Sequence, residues 1–204
     1  MGRNLTIYPT QWGQIAVAQI PDKELLEREA TEEELCSVAD IVAPSRRRER
    51  LAWRALLREL SPAAEVEYQP SGKPLLHDFQ YKHISVSHCR DFVAVALSLE
   101  PCGVDIERYD RNFGRVRSRY MSEREALLST HKDWAAMVWC AKEALFKMAG
   151  REGVDFKRDM QIISVEPPVD VNRGCWHLVA QLFDVKIELS GIPIDEDHIL
   201  VFTL

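Results

Sequence analysis

Hydrophobic and polar positions alternate or cycle along most of this chain, and the period of each stretch predicts its element. Residues 12–20 alternate weakly and stop at Pro21, which predicts a strand. Thr31 and Glu34 have capping-box spacing and predict a short helix over 32–42, interrupted at Pro44. Over 45–60, Trp53, Leu56, Leu57 and Leu60 recur at helical spacing, with Pro62 beyond the end. Residues 70–74 (PSGKP) predict a turn. Strands are predicted over 83–86 and 92–99, joined by the polar SHCRD, and over 103–107 after Pro101.

The second half begins with a helical pattern over 111–121. Ser122 and Glu125 repeat the capping-box spacing and open a short helix through 128. The strongest helical pattern runs over 133–149, where Met137, Ala141, Ala144 and Met148 share one face and Gly150 supplies a stop. Residues 161–165, 176–183, 185–189 and 199–204 predict strands. Helices followed by strands thus occur twice, before and after about residue 103, which hints at two similar halves.

Composition narrows the class. The chain has 204 residues, 46% hydrophobic and 28% charged, which excludes wholesale disorder and a small disulfide scaffold. A net charge of −6 argues against general nucleic-acid binding. Five scattered cysteines form no CxxC and suit a reducing compartment. The first residues carry no long apolar run of a signal peptide, and the longest apolar stretch is too short to span a bilayer. A cytoplasmic protein with neither nucleic acid nor membrane as partner is the expectation.

Candidate chemistry sits in a few places. Asp105 and Glu107 flank Ile106, so on a strand both carboxylates point to one face. They are either a solvated edge pair or a site for a hard cation such as Mg²⁺, which takes a few carboxylates plus water and phosphate oxygens. On the long helix, Glu143 and Lys147 share a face four residues apart. They are either an exposed ion pair or a third carboxylate with a phosphate-binding ammonium. Trp139 fills core or walls the site. Ser87 and His88 end a strand, where they either stabilise a turn or hold phosphate. No G-x-S-x-G, H-E-x-x-H, Walker A or G-x-G-x-x-G pattern is present.

Five of these pieces occur in one order: GKP at 72–74, ISVSH at 84–88, GVDIE at 103–107, YMSERE at 120–125 and WCAKEALFK at 139–147. In that order they resemble the 4′-phosphopantetheinyl transferase superfamily, in its two-halved Sfp type. The matching motifs run from about residue 45 to 150. The resemblance implies an α+β fold of two pseudo-related halves, each with helices packed on a mainly antiparallel sheet. The halves would be 1–102, on the coenzyme A nucleotide side, and 103–204, with the metal site and the catalytic helix. Coenzyme A would lie in the cleft between them.

The implied reaction moves phosphopantetheine from coenzyme A to a serine of an acyl or peptidyl carrier protein. Asp105, Glu107 and Glu143 match the family's Mg²⁺ carboxylates, with Glu143 also the base. Lys147 matches the lysine near the diphosphate, and Asp105, Glu143 and Lys147 form the catalytic set. Lys73, Pro74, Ser87 and His88 match the coenzyme-binding segments. The cluster Arg46, Arg47, Arg48, Arg50 and Arg54 resembles the basic segment beside the 3′-phosphate, with Arg54 the first choice and Arg48 the second, against a solvated helix face. Glu125 is open between a helix cap and the metal's surroundings.

Arg111, Arg115 and Arg119 fall on one helical face and suit docking of an acidic carrier, or else form a solvated face. A monomer would suffice. The competing readings are a non-catalytic coenzyme A or carrier-binding paralogue and another Mg²⁺-dependent phosphoester enzyme.

Overall fold

The computed structural model describes residues 4–69, 72–170 and 173–204. Pro70 and Ser71, at the head of the expected PSGKP turn, lie outside the described residues. The chain divides into two compact units, Met1–Glu100 and Pro101–Leu204. Both are α+β, and among the described residues every strand pairing is antiparallel.

In the first unit β1 (Leu5–Pro9), β2 (Gly13–Gln19), β6 (Phe92–Ser98) and β5 (His83–His88) form a sheet in the order β1-β2-β6-β5. A separate hairpin joins β3 (Glu65–Tyr68) to β4 (Pro74–His77). Helix α3 (Pro44–Leu60) lies on the sheet, its Leu51, Leu56 and Leu57 buried among Ala16, Val93, Val95 and Leu97. Pro44 does not merely interrupt an earlier helix. It stands in the first turn of α3, where its missing N–H costs nothing and its fixed φ is already helical.

The outer helices α1 (Lys23–Glu29) and α2 (Glu32–Cys36) pack on α3. The Thr31–Glu34 capping box forms as expected. The helix it opens stops at Cys36 rather than 42, because the Ser37 hydroxyl donates to the Glu34 carbonyl at 2.6 Å and the following amides bond three residues back instead of four.

In the second unit the sheet order is β7 (Val104–Arg108), β11 (His198–Thr203), β10 (Val185–Pro193), β9 (Trp176–Leu182), β8 (Met160–Glu166). Helix α6 (Trp134–Ala149) packs against β7 and β11. Its Met137, Ala141, Ala144 and Leu145 are buried with Leu178, Ile199 and Val201. Gly150 closes it in the left-handed region (φ 61°), a conformation most side chains disfavour, and its amide donates to the Phe146 carbonyl. Helices α4 (Phe113–Tyr120) and α5 (Glu123–Ala126) complete the unit. Among the described residues no helix is long and apolar enough to cross a membrane.

One close approach positions the chemistry. A Cβ on Gly103 would stand 1.8 Å from the Ala144 carbonyl oxygen, so only glycine lets the start of β7 run this close to α6. Gly103 also exchanges hydrogen bonds with Thr203 at 3.0 Å each. Gly103→Ala should therefore cost about 3 kcal/mol or more, since backbone rather than a flexible side chain must yield. Denaturant unfolding checks this, and a loss below about 1 kcal/mol would mean that the helix and strand part without strain.

Candidate functional site

Strand β7 is an edge strand whose pleat turns Asp105 and Glu107 to the same face, opposite Val201 and Ile199 of β11 in register. Helix α6 adds Glu143 and, one turn on, Lys147. The Lys147 ammonium donates to an Asp105 carboxylate oxygen at 2.7 Å and to the Val104 carbonyl at 2.9 Å. It thereby ties helix to strand as well as placing charge. Asp105 is buried and Lys147 is partly exposed.

The electrostatics show how crowded this acidic centre is. Burial, then the neighbouring Asp105 charge, push the Glu107 carboxyl up to about 7, against the pull of Arg111, the Trp139 N–H and Lys147. Glu143 is raised for the same two reasons, burial first and Asp105 second, with Lys147 and Arg111 opposing. The Cys140 thiol, fully buried on α6, is held well above its usual range by burial and by the Asp105 and Glu107 charges. The Asp105 charge thus acts on both glutamates, and Lys147 and Arg111 oppose it at each.

The neighbouring basic and N–H groups take up part of that charge. Arg111 pairs with Glu107, and the Trp139 indole N–H donates to the same Glu107 oxygen at 3.3 Å. Among the described residues, no three His, Cys, Asp or Glu side chains are grouped so as to hold a metal ion as they stand. The donor set nevertheless fits a hard dication, which prefers carboxylate oxygens and keeps several waters. Glu107 and Glu143, both raised by burial and then by Asp105, are the groups such an ion would stabilise in the charged form.

Trp139 both walls the centre and fills core. It meets Tyr120 edge-on at 5.1 Å and lies 6.0 Å from Phe156. Glu125 has a structural post. One of its oxygens accepts from the Ser122 amide at 2.7 Å and hydroxyl at 2.8 Å. The other accepts from the Ile162 amide at 2.9 Å and pairs with the Lys142 ammonium at 2.6 Å. Both of its oxygens are thus engaged by the fold, so the capping role stands.

Lys142 is the residue a sequence reading overlooks. Its side chain is 0% exposed, and it also donates to the Tyr120 and Phe156 carbonyls. Burial draws its ammonium below the usual lysine range, and Glu125 opposes that. The signal was its place on the apolar stripe, four residues after Val138 and three before Leu145.

The first unit holds a separate basic pocket of 350 Å³, lined by Ser45, Arg48, Glu49, His88, Cys89 and Arg90. Ser45 stands in the first turn of α3, and His88 ends β5. His88 Nδ1 lies 3.5 Å from a Glu49 carboxylate oxygen. Arg48, one of the residues lining the pocket, donates to the Ile20 carbonyl at 2.8 Å and the Pro21 carbonyl at 3.0 Å.

Arg54 is placed differently. It is 7% exposed, and its guanidinium pairs with Glu33 of α2, away from the residues lining the pocket. Ser87 is buried on β5, just before His88. Lys73 and Pro74 stand at the head of β4, and the Lys73 charge acts on His83, at the other end of β5 from His88. Arg115 and Arg119 are exposed on α4, whereas Arg111 precedes that helix and turns back to Glu107.

Comparison with known proteins bears on the second unit. Residues 101–198 match the model of the 4′-phosphopantetheinyl transferase superfamily. Two relatives from Bacillus subtilis are similar over 89 residues: 4′-phosphopantetheinyl transferase ffp at 34% identity and, from strain 168, 4′-phosphopantetheinyl transferase Sfp at 30%. Each similarity covers 41% of this chain and 40% of the relative, so the chain spans well under half the length of the curated relatives it matches. The matched residues hold β7, its two carboxylates and the whole of α6. Over these residues, 101–198, the chain is similar to the 4′-phosphopantetheinyl transferase superfamily.

Proposed function

We propose that this chain is a 4′-phosphopantetheinyl transferase, moving the phosphopantetheine arm of coenzyme A to a serine hydroxyl of a carrier protein. The observation that carries the reading is the placing of Lys147 on Asp105, whose charge acts on both Glu107 and Glu143, inside the segment that matches the family.

The serine oxygen would form a bond to the pantetheine-side phosphorus of the diphosphate. The bond from that phosphorus to the bridging oxygen would break, releasing adenosine 3′,5′-bisphosphate. Glu143 would take the serine proton, a role suited to a carboxylate whose basicity is raised by burial and by Asp105. Lys147 would place positive charge beside the diphosphate oxygens, where charge grows during transfer. Asp105, Glu107 and Glu143 would hold Mg²⁺, which when bound supplies polarisation of the phosphoryl oxygens.

In the first unit, Arg48 and His88 are the groups we assign to the coenzyme's 3′-phosphate, with Ser87, Lys73 and Pro74 as further coenzyme contacts. Arg48 is preferred over Arg54 because it lines the pocket while Arg54 is paired with Glu33. Arg115 and Arg119 would steer an acidic carrier towards α4, an effect that salt should weaken.

The test is to incubate the protein with coenzyme A, Mg²⁺ and an unmodified carrier protein, then weigh the carrier by mass spectrometry. A phosphopantetheine increment is expected. Coenzyme cleaved without carrier modification would make it another phosphoester enzyme, and binding without turnover would make it a non-catalytic binder.

A further inference from the structure

Arg111 stands apart from the other arginines of its segment. Arg115 and Arg119 are exposed on α4, but the Arg111 guanidinium is drawn back onto Glu107. It lies 5.1 Å from the Trp139 ring centroid and 5.7 Å from that of Phe113. Trp139 donates to the very Glu107 oxygen that Arg111 engages. The arginine is thus held by a carboxylate and by two aromatic rings, a geometry that a planar guanidinium fits better than an ammonium. Its side chain is still 53% exposed, so it can leave towards solvent without breaking core packing.

The charges around the acidic centre explain what it does there. Asp105, Glu107 and Glu143 are met by Lys147, which is fixed to Asp105 and Val104, and by Arg111, which is fixed to Glu107. Lys147 is anchored by a carbonyl as well as a carboxylate, so Arg111 is the more readily displaced of the two. A dication at Glu107 and the guanidinium would be like charges against one carboxylate, and the repulsion disfavours holding both there.

We propose that Arg111 is a built-in competitor for the divalent cation: it occupies Glu107 while the centre is empty and is expelled when the ion binds. The proposal rests on the reading of Asp105, Glu107 and Glu143 as the Mg²⁺ site. It makes Arg111 a residue that sets metal affinity, distinct from the docking face formed by Arg115 and Arg119. The competition is mutual, so metal binding frees the guanidinium by the same factor by which the guanidinium weakens the metal.

The experiment is calorimetric titration of MgCl₂ into the wild-type chain, Arg111→Gln and Arg115→Gln at one pH and ionic strength, with circular dichroism to verify folding. Arg111→Gln should bind Mg²⁺ about fivefold more tightly, the scale of losing one partly exposed ion pair. Arg115→Gln removes the same formal charge without touching Glu107, and should stay within about twofold of wild type. Arg111→Lys, which keeps the charge but not the planar stack, should fall between, and gives the answer if the glutamine variant fails to fold.

Equal or weaker binding by Arg111→Gln would overturn the proposal while leaving the metal site standing. An equal gain in Arg115→Gln would overturn it in favour of net charge alone. If no variant binds the ion, the metal reading itself fails and the competitor falls with it.

Discussion

Glutamine in place of Glu143 should slow carrier modification about a thousandfold, the scale of losing a positioned general base. The melting temperature should stay level or rise slightly. The two halves of that expectation have one cause. Burial and the Asp105 charge both disfavour ionised Glu143, so the folded chain bears a strained carboxylate that a neutral amide relieves. Glu143 is only partly buried and shares its shape with glutamine, so packing is preserved. Single-turnover mass spectrometry of the carrier measures the first effect and calorimetry the second. A rate within about tenfold of wild type would remove Glu143 from proton transfer.

The second large effect concerns stability alone. Lys142→Met should destabilise the chain by about 3–5 kcal/mol, because the Glu125 carboxylate would remain buried without its cation. The pair is closed off from water, with side chains 0% and 2% exposed at 2.6 Å. The methionine also leaves the Tyr120 and Phe156 carbonyls without the donor that now serves them. Replacing Glu125 by glutamine in the same chain should recover part of the loss and not all of it, since no charge remains buried but the single amide oxygen can accept from Ser122 or from Ile162 and not from both. Denaturant midpoints of the two single variants and the double variant measure the coupling. A loss under about 1 kcal/mol for Lys142→Met would show that Glu125 finds another partner.

Those two residues mark where a linear reading reaches its limit. Periodic patterns over 45–60 and 133–149 are long enough to read directly, and α3 and α6 stand there. Both capping boxes are local chemistry and form as their spacing predicts. The strands over 83–86 and 92–99 sit where expected, β5 running two residues further to His88.

Other elements depend on neighbours that spacing does not reveal. β1, β3 and β4 have only four or five residues, too few to show alternation. β10 continues to Pro193 past Ser190 and Gly191, which look like a turn, because pairing with β9 and β11 holds those positions extended. Asp105, Glu107 and Glu143 could be singled out from motif and face. The grip of Arg111 on Glu107, and the contrast between Arg48 in a pocket and Arg54 on Glu33, come from tertiary geometry.

The arginines of α3 carry a consequence for how the first unit assembles. Arg47, Arg48, Arg50 and Arg58 donate to carbonyls of Val38, Pro21, Ser37 and Glu29, while Arg54 and Arg58 hold the Glu33 and Glu34 carboxylates. Helices α1 and α2, of 7 and 5 residues, are far shorter than a helix that persists in water by itself. Their order is therefore borrowed from α3. This outer layer should be the first part of the unit to exchange its amide hydrogens, and the guanidinium rivets should set how long it stays shut.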